Sequence, residues 1–336
     1  MASLRNTLQA LVLQEAAPFE VLVVSDGSTD GTDEMVWEMS RSTPYPLRLL
    51  TQSNGGPARA RNHGVEEARG EVILFLDDDV EPPPHFVAVH ASHHEQDPRV
   101  AVIGPMLPDP LLRWSEPAWV AWEHRSLQKE YTRLETGYWP AASPNHFYTG
   151  NASVRRRHLQ SVGGFDEQFK RQEDVELAFR LKRECGVRFQ FDGEAAGTHR
   201  PRRSLEAWLH VPFAYGSLDV TRARRGDVGW ERVRHAYHSR NAITRALAQL
   251  ILTYPPATRP VRALLLAAAR TAYALHLGTA SATALSVVYN LRYLEGVQAE
   301  LGAAVRTLEV LRAHSEPEEG ATSISPALPC KTSAHP

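Results

Sequence analysis

Three consecutive aspartates, Asp77-Asp78-Asp79, follow directly on the apolar run Val72–Leu76 (VILFL). Adjacent carboxylates repel one another, and folding alone gives no reason to gather them at the end of a strand. A divalent cation removes that repulsion, and hard carboxylate oxygens suit Mg2+ or Mn2+. Side chains alternate along extended backbone, so Asp77 and Asp79 should face one way and Asp78 the other. A solvated acidic turn is the plain alternative. A second carboxylate, Asp26, closes the apolar run Glu20–Ser25 (EVLVVS). In open α/β sheets ligands sit beyond the carboxyl ends of the strands, which is where both acidic groups fall.

The elements that must position these groups can be read from hydrophobic periodicity. Leu4, Leu8, Leu11 and Val12 recur at helical spacing, with Pro18 as the expected stop. Strands are expected at Glu20–Ser25, Leu47–Leu50, Val72–Leu76, Val100–Ile103 and Val187–Phe191, the first and third of them buried. Helices are expected at Thr32–Met39, Gly56–Ala68 and Asp174–Arg183. This alternation predicts an α/β layer fold. Pro105–Tyr148, rich in Trp and Pro, reads as an irregular substrate-side loop with one helix. From about Leu205 the character changes to Arg- and Ala-rich helices, and Ser315–Pro336 has little to bury and is expected to be disordered. The expected domains are 1–205, 206–314 and a tail, 315–336.

The 336 residues are 43% hydrophobic and 23% charged, so a buried core is expected. A formal net charge of -2 argues against a polyanion binder and predicts no nucleic-acid partner. Two cysteines, Cys185 and Cys330, have neither metal-ligand spacing nor a disulfide framework, which suits a reducing cytoplasm. No signal peptide is visible at the N-terminus.

The run Val23–Thr32 (VVSDGSTDGT) resembles the nucleotide-binding turn of family 2 glycosyltransferases, and Asn54–Asn62 (NGGPARARN) is similar to that family's next signature. Phe75–Asp79 resembles its DxD element. Gly150–Ser153 with Gly163–Glu167 resembles its acceptor-side segment, and Gln172–Leu177 (QEDVEL) looks like its catalytic ED motif. The resemblance covers roughly Met1 to His199 in the family's order.

It implies a GT-A-type nucleotide-binding αβα sandwich with a helical C-terminal extension, and an inverting transfer of a sugar from a nucleotide-sugar to an acceptor hydroxyl. The implied donor site is Asp26 on the base, with Arg61, Asp77 and Asp78 on the rest of the donor. Asp26 can instead bond its own turn, and Arg61 can be a surface ion pair. Asp79 and His199 are the implied ligands of Mn2+ or Mg2+. A surface histidine is the alternative at 199. Asp174 is the implied general base, with an N-cap role as alternative, and Glu173 supports the site. UDP- or dTDP-sugars fit best as donors, GDP-sugars are possible, and the acceptor class is saccharide or lipid-linked, in polysaccharide, glycolipid or cell-envelope synthesis. No role is assigned to Trp114, Trp119, Trp122 or Trp139.

The chain departs from that pattern at its start. Family members open with an apolar strand, whereas Met1–Leu8 already looks like the helix that follows it. In a doubly wound sheet the missing strand would be central, so both of its ladder partners lose a neighbour. An upstream start or a fragment would explain this, as would a decayed, inactive relative. An Ala- and Leu-rich stretch runs over 261–289, and between Arg270 and Arg292 no Asp, Glu, Lys or Arg occurs; the stretch can be a buried or dimerising helix, an interfacial helix, or a span. The expected location is cytoplasmic, with peripheral contact at the inner face of the cell membrane left open. A sugar nucleotidyltransferase, an inactive nucleotide-sugar binder and a scaffold module are the competing readings.

Overall fold

The structure is a computed structural model that describes residues 2–15, 18–112, 114–169, 171–225, 229–302 and 304–312. The expected tail at 315–336, and Cys330 with it, lies outside the described residues. The chain divides into two compact units, residues 1–111 with 128–202, and residues 112–127 with 203 onward.

The first unit runs α1 (Ala2–Leu11), β1 (Val21–Asp26), α2 (Thr32–Ser40), β2 (Leu47–Gln52), α3 (Pro57–Glu67), β3 (Val72–Leu76), β4 (Val80–Glu81), α4 (Phe86–Gln96), β5 (Val100–Ile103) and β6 (Met106–Pro108). It resumes within α5 (Ala118–Glu135) and continues through β7 (Asn151–Arg155), α6 (Arg156–Ser161), α7 (Glu173–Cys185), β8 (Arg188–Phe191) and β9 (Gly197–His199). Strands β3-β7-β5-β8 form a mixed sheet in which β7 is antiparallel to both neighbours and β5 is parallel to β8. The core on this sheet is built from Phe75, Ile103, Phe147, Leu159, Leu177 and Leu181. Strands β4-β9-β6 form a second small sheet.

β1 and β2 pair in parallel as a separate two-stranded sheet, with Leu4, Leu8, Val36 and Leu47 packed on them from α1, α2 and β2. Among the described residues β1 has only β2 as ladder neighbour and β3 has only β7. The consequence shows in burial. β1 buries only Ser25 and β3 only Phe75, while all four residues of β5 are buried between two neighbours. The expectation that β1 and β3 are fully buried strands is therefore corrected: each lacks a strand on one edge. α1 ends at Leu11, well before Pro18, and Val12 lies beyond it, 41% exposed.

Sequence periodicity misses β7 and α4. β7 buries two polar side chains, Asn151 and Ser153, at positions where an apolar pattern was sought. They are satisfied from α4: His90 Nδ1 lies 2.9 Å from Ser153 Oγ and its Nε2 lies 3.1 Å from Asn151 Oδ1, while His94 Nε2 lies 2.8 Å from Ser153 Oγ. Burial pushes both imidazoles down to about 4, so they serve as neutral partners.

The second unit holds the first part of α5 and the helices α8 (Leu205–Arg225), α9 (Glu231–His238), α10 (Ala242–Thr253), α11 (Thr258–Ala274), α12 (Gly278–Leu301) and α13 (Ala304–Arg312). α8 and α12 touch through glycines: a Cβ on Gly216 would stand 2.0 Å from Tyr293 O, and one on Gly296 2.0 Å from Phe213 O. Trp122 packs edge-on against Trp208 in this unit's core, and Trp119 donates from Nε1 to Arg203 O. The Ala- and Leu-rich stretch at 261–289 is broken at residues 275–277, where His276 takes a left-handed φ of 58°. Among the described residues no helix is long and apolar enough to cross a membrane, which overturns the spanning alternative for that stretch.

Candidate active site

Asp26, at the carboxyl end of β1, fastens the neighbouring loop. Gln52 Nε2 (2.9 Å) and Gly55 N–H (2.7 Å) donate to its Oδ1, and Gly56 N–H (2.8 Å) donates to its Oδ2. Burial alone would raise this carboxyl, but these hydrogen bonds and the charge of Arg59 hold it below the usual carboxylate range. Asp26 thus bonds the 52–56 loop rather than its own turn. Each carboxylate oxygen has room for about two donors, so a ligand N–H can still be accepted.

The three aspartates leave β3 as expected and diverge. Asp77 N–H donates to Gly150 O at 3.1 Å. Burial pushes its carboxyl up, as do the charges of Asp79 and Asp78, against the lowering by Arg61 and His199. Asp78 is the most open of the three; its backbone oxygen accepts from Thr7 Oγ1, and its carboxyl is also pushed up, by burial and then by Asp79. Asp79 precedes β4, which pairs with β9 so that Val80 stands opposite His199. That register leaves Asp79 Oδ1 3.4 Å from His199 Nε2.

This pair fits a small divalent ion. Ligands on adjacent corners of an octahedral Mg2+ site, with bonds of about 2.1 Å, stand roughly 3 Å apart. Among the described residues no group of three or more His, Cys, Asp or Glu side chains is arranged to hold a metal ion. Mg2+ ordinarily keeps open positions for phosphate oxygens and water.

The second half of the site comes from α7. Its N-cap is Gln172, held buried with a left-handed φ of 58°, so the N-cap alternative for Asp174 is excluded. A non-glycine residue in that region is strained, and here it turns the chain directly into Glu173 and Asp174. Asp174 Oδ1 accepts from Val175 N–H at 2.8 Å, and the Thr149 backbone lies near enough to favour the ionised carboxylate. Burial is the main cause that raises Asp174 to about 6, with Glu173 adding to it. Arg61, from α3, donates through Nη1 to Glu173 Oε1 at 2.6 Å, and its charge reaches both Asp77 and Asp174.

One short segment therefore joins the two halves. The Thr149 backbone favours the Asp174 carboxylate, and the next residue, Gly150, accepts from Asp77 N–H. A Cβ on Gly150 would stand 2.5 Å from Met106 Sδ and 2.7 Å from Asp77 Oδ2, so a larger residue here would displace one of those side chains. The structure brings Arg61, Asp77, Asp79, Asp174 and His199 into one neighbourhood, whereas Asp26 sits at the end of the separate β1–β2 pair.

Several positioning residues escape a sequence reading. Asn62 clamps the 163–167 turn, donating from Nδ2 to Phe165 O (2.9 Å) and accepting from Phe165 N–H (2.7 Å). Asn151 Nδ2 donates to Ala195 O (2.8 Å), tying β7 to the segment before β9. Both asparagines lie in motifs the sequence displays, which is a signal of importance without a role. Glu130, buried on α5, accepts from Tyr148 Oη at 3.2 Å and is pushed up by burial to about 7; nothing in the local pattern marks it.

The family model described as "Glycosyl transferase family 2" matches residues 2–162. The pre-mycofactocin glycosyltransferase of Mycobacterium tuberculosis is 30% identical over 199 residues, 58% of this chain and 40% of that protein. The validoxylamine A glucosyltransferase of Streptomyces hygroscopicus subsp. limoneus is 31% identical over 232 residues, 61% of this chain and 51% of that protein. The chain thus spans about half or less of these relatives' length. Among solved structures, a mannosyltransferase from Pyrobaculum calidifontis in complex with GDP-Man and Mn2+ superposes with a TM-score of 0.53 at 21% identity, covering 92% of this chain and 83% of that one. The likeness is one of fold, the GT-A α/β fold with a helical C-terminal region.

Proposed function

We propose, from the premise that this chain belongs through residues 2–162 to glycosyl transferase family 2, that it moves a sugar from a nucleotide-activated donor onto an acceptor hydroxyl with inversion. The observation that carries this reading is the Thr149-Gly150 segment: Gly150 O accepts from Asp77 N–H, and the Thr149 backbone favours the ionised form of the base candidate, Asp174.

In this reading the acceptor oxygen attacks the anomeric carbon as the bond from that carbon to the diphosphate oxygen breaks. The acceptor proton passes to the Asp174 carboxylate. A carboxyl raised to about 6 suits that task, since a general base works best with a pKa near the operating pH. Direct displacement by one base gives inversion. Arg61 neutralises Glu173 and keeps Asp174 ionisable. Asp79 and His199 would hold Mn2+ or Mg2+, and a bound cation supplies neutralisation of the departing diphosphate. Asp77 and Asp78 face the donor, and Asp26 receives the base from the loop it has already ordered.

A uracil or thymine ring N–H fits Asp26. Guanine offers a ring N–H as well, and the archaeal mannosyltransferase, solved with GDP-Man, keeps a guanosine donor in the set to test. The acceptor class proposed is a saccharide or lipid-linked hydroxyl, in polysaccharide, glycolipid or cell-envelope synthesis. A thermal-shift screen of UDP-, dTDP- and GDP-sugars with and without Mn2+ tests the reading. At least one donor should stabilise the chain, and more so with Mn2+; no shift with any donor would contradict it.

A further inference from the structure

α11 is apolar on two faces. Leu265, Ala269 and Tyr273 turn into the second unit's core. On the other face Ala263, Leu264, Ala267 and Ala274 are all exposed, at the spacing of a single stripe along the helix, and Leu275, the residue that caps its end, is exposed too. Leu264 is 72% and Leu275 65% exposed, and the stripe is continued by exposed Tyr254 before the helix and Leu277 after it. Such a row is unlike the scattered surface leucines of ordinary proteins.

The charge around it is one-sided. Between Glu231 and Glu295 the chain has no Asp or Glu but eight arginines. Some of these are committed, as Arg262 is to Glu295 and Arg232 to Asp219. Arg259 and Arg270 are exposed along one border of the apolar stripe and take no carboxylate partner among the described residues. An apolar stripe edged with arginine, on a helix unable to span, has the makeup of a helix that lies in the surface of an anionic bilayer.

We propose that α11 is a lipid-surface contact, with Leu264 and Leu275 entering the headgroup–acyl boundary and Arg259 and Arg270 on lipid phosphates. A second copy fits worse. A twofold interface would set this acid-free arginine border against itself. A nucleic acid would meet the arginines and leave the leucines in water. The contact is independent of the sugar-transfer reading, and the assay below reads lipid binding alone, so either can fail without the other.

The full chain is sedimented with vesicles of phosphatidylcholine alone and of phosphatidylcholine mixed equally with phosphatidylglycerol. Binding should require the anionic lipid and weaken with salt. Leu264→Gln with Leu275→Gln, and separately Arg259→Gln with Arg270→Gln, should each lower partitioning by about tenfold while the melting temperature holds, because all four side chains are exposed. Equal binding to neutral vesicles, unchanged binding by both variants, or a dimer that the leucine variant converts to monomer would overturn the proposal.

Discussion

Arg61 Nη1 and Glu173 Oε1 meet at 2.6 Å, joining α3 to the first turn of α7 across 112 positions of sequence. The pair removes one of the two negative charges that would otherwise stand side by side at the start of α7. Arg61→Met should leave Glu173 unopposed next to Asp174. The Asp174 carboxyl should then rise by about one unit, since an opposite charge is lost and a like charge exposed. The acidic limb of the pH–kcat profile, expected near 6 in the parent, should move to higher pH by that amount. An unmoved limb would detach Arg61 from the base.

Asp174 also carries a stability consequence. Its folded-state pKa, about 6, lies above the ordinary 3.8, so the folded chain binds that proton more tightly than the unfolded chain does. The stability gained by protonation is present below about pH 4 and is lost as pH rises to 6 and beyond. At neutral pH an ionised Asp174 therefore costs the fold on the order of 1–3 kcal/mol, the lower end reflecting its partial solvent access. Asp174→Asn should melt higher than the parent at pH 7.5 and lose that advantage at pH 4. Calorimetry at the two pH values checks the sign.

Gly150→Ala tests the link between the two halves of the site. The added methyl would press on Met106 Sδ and on the Asp77 carboxylate, a donor contact in the proposed reading. Donor affinity should fall by about tenfold or more, the scale of a misplaced positioning group, with a smaller loss of stability. Titration calorimetry with the best donor of the screen measures it.

The edges of β1 and β3 should behave differently from the middle of the sheet. Each has a single ladder neighbour among the described residues, whereas β5 and β7 each have two. Amides of β1 and β3 should exchange hydrogen faster than those of β5 and β7, because local opening there breaks fewer contacts. Exchange mass spectrometry resolving peptides 21–26 and 100–103 decides this; equal protection would mean that β1 has a partner on its open edge.

The acidic chemistry was largely visible in the sequence because acids at strand ends announce themselves. Asp77, Asp78 and Asp79 stand after an apolar run that does form β3, and Asp174 stands in the first turn of α7. What stayed hidden was tertiary. Asn151 and Ser153 give no strand signal because polar side chains do not read as buried, and His90 and His94, about sixty positions away, help make their burial tolerable. The role of Thr149 rests on its backbone, which residue type does not encode. The break in the stretch 261–289 falls on His276 in a left-handed conformation, which its residue type does not announce, while Gly278 opens the next helix.

The most direct measurement compares the parent with Asp174→Asn and Asp79→Ala for release of nucleoside diphosphate from the donor, alongside calorimetric donor binding with Mn2+. Asp174→Asn should bind donor within a factor of about two of the parent and turn over roughly 100- to 10,000-fold more slowly, the usual worth of a general base. Asp79→Ala should lose the Mn2+-dependent part of binding. Parental turnover by Asp174→Asn, or Mn2+-dependent binding unchanged in Asp79→Ala, would contradict the account.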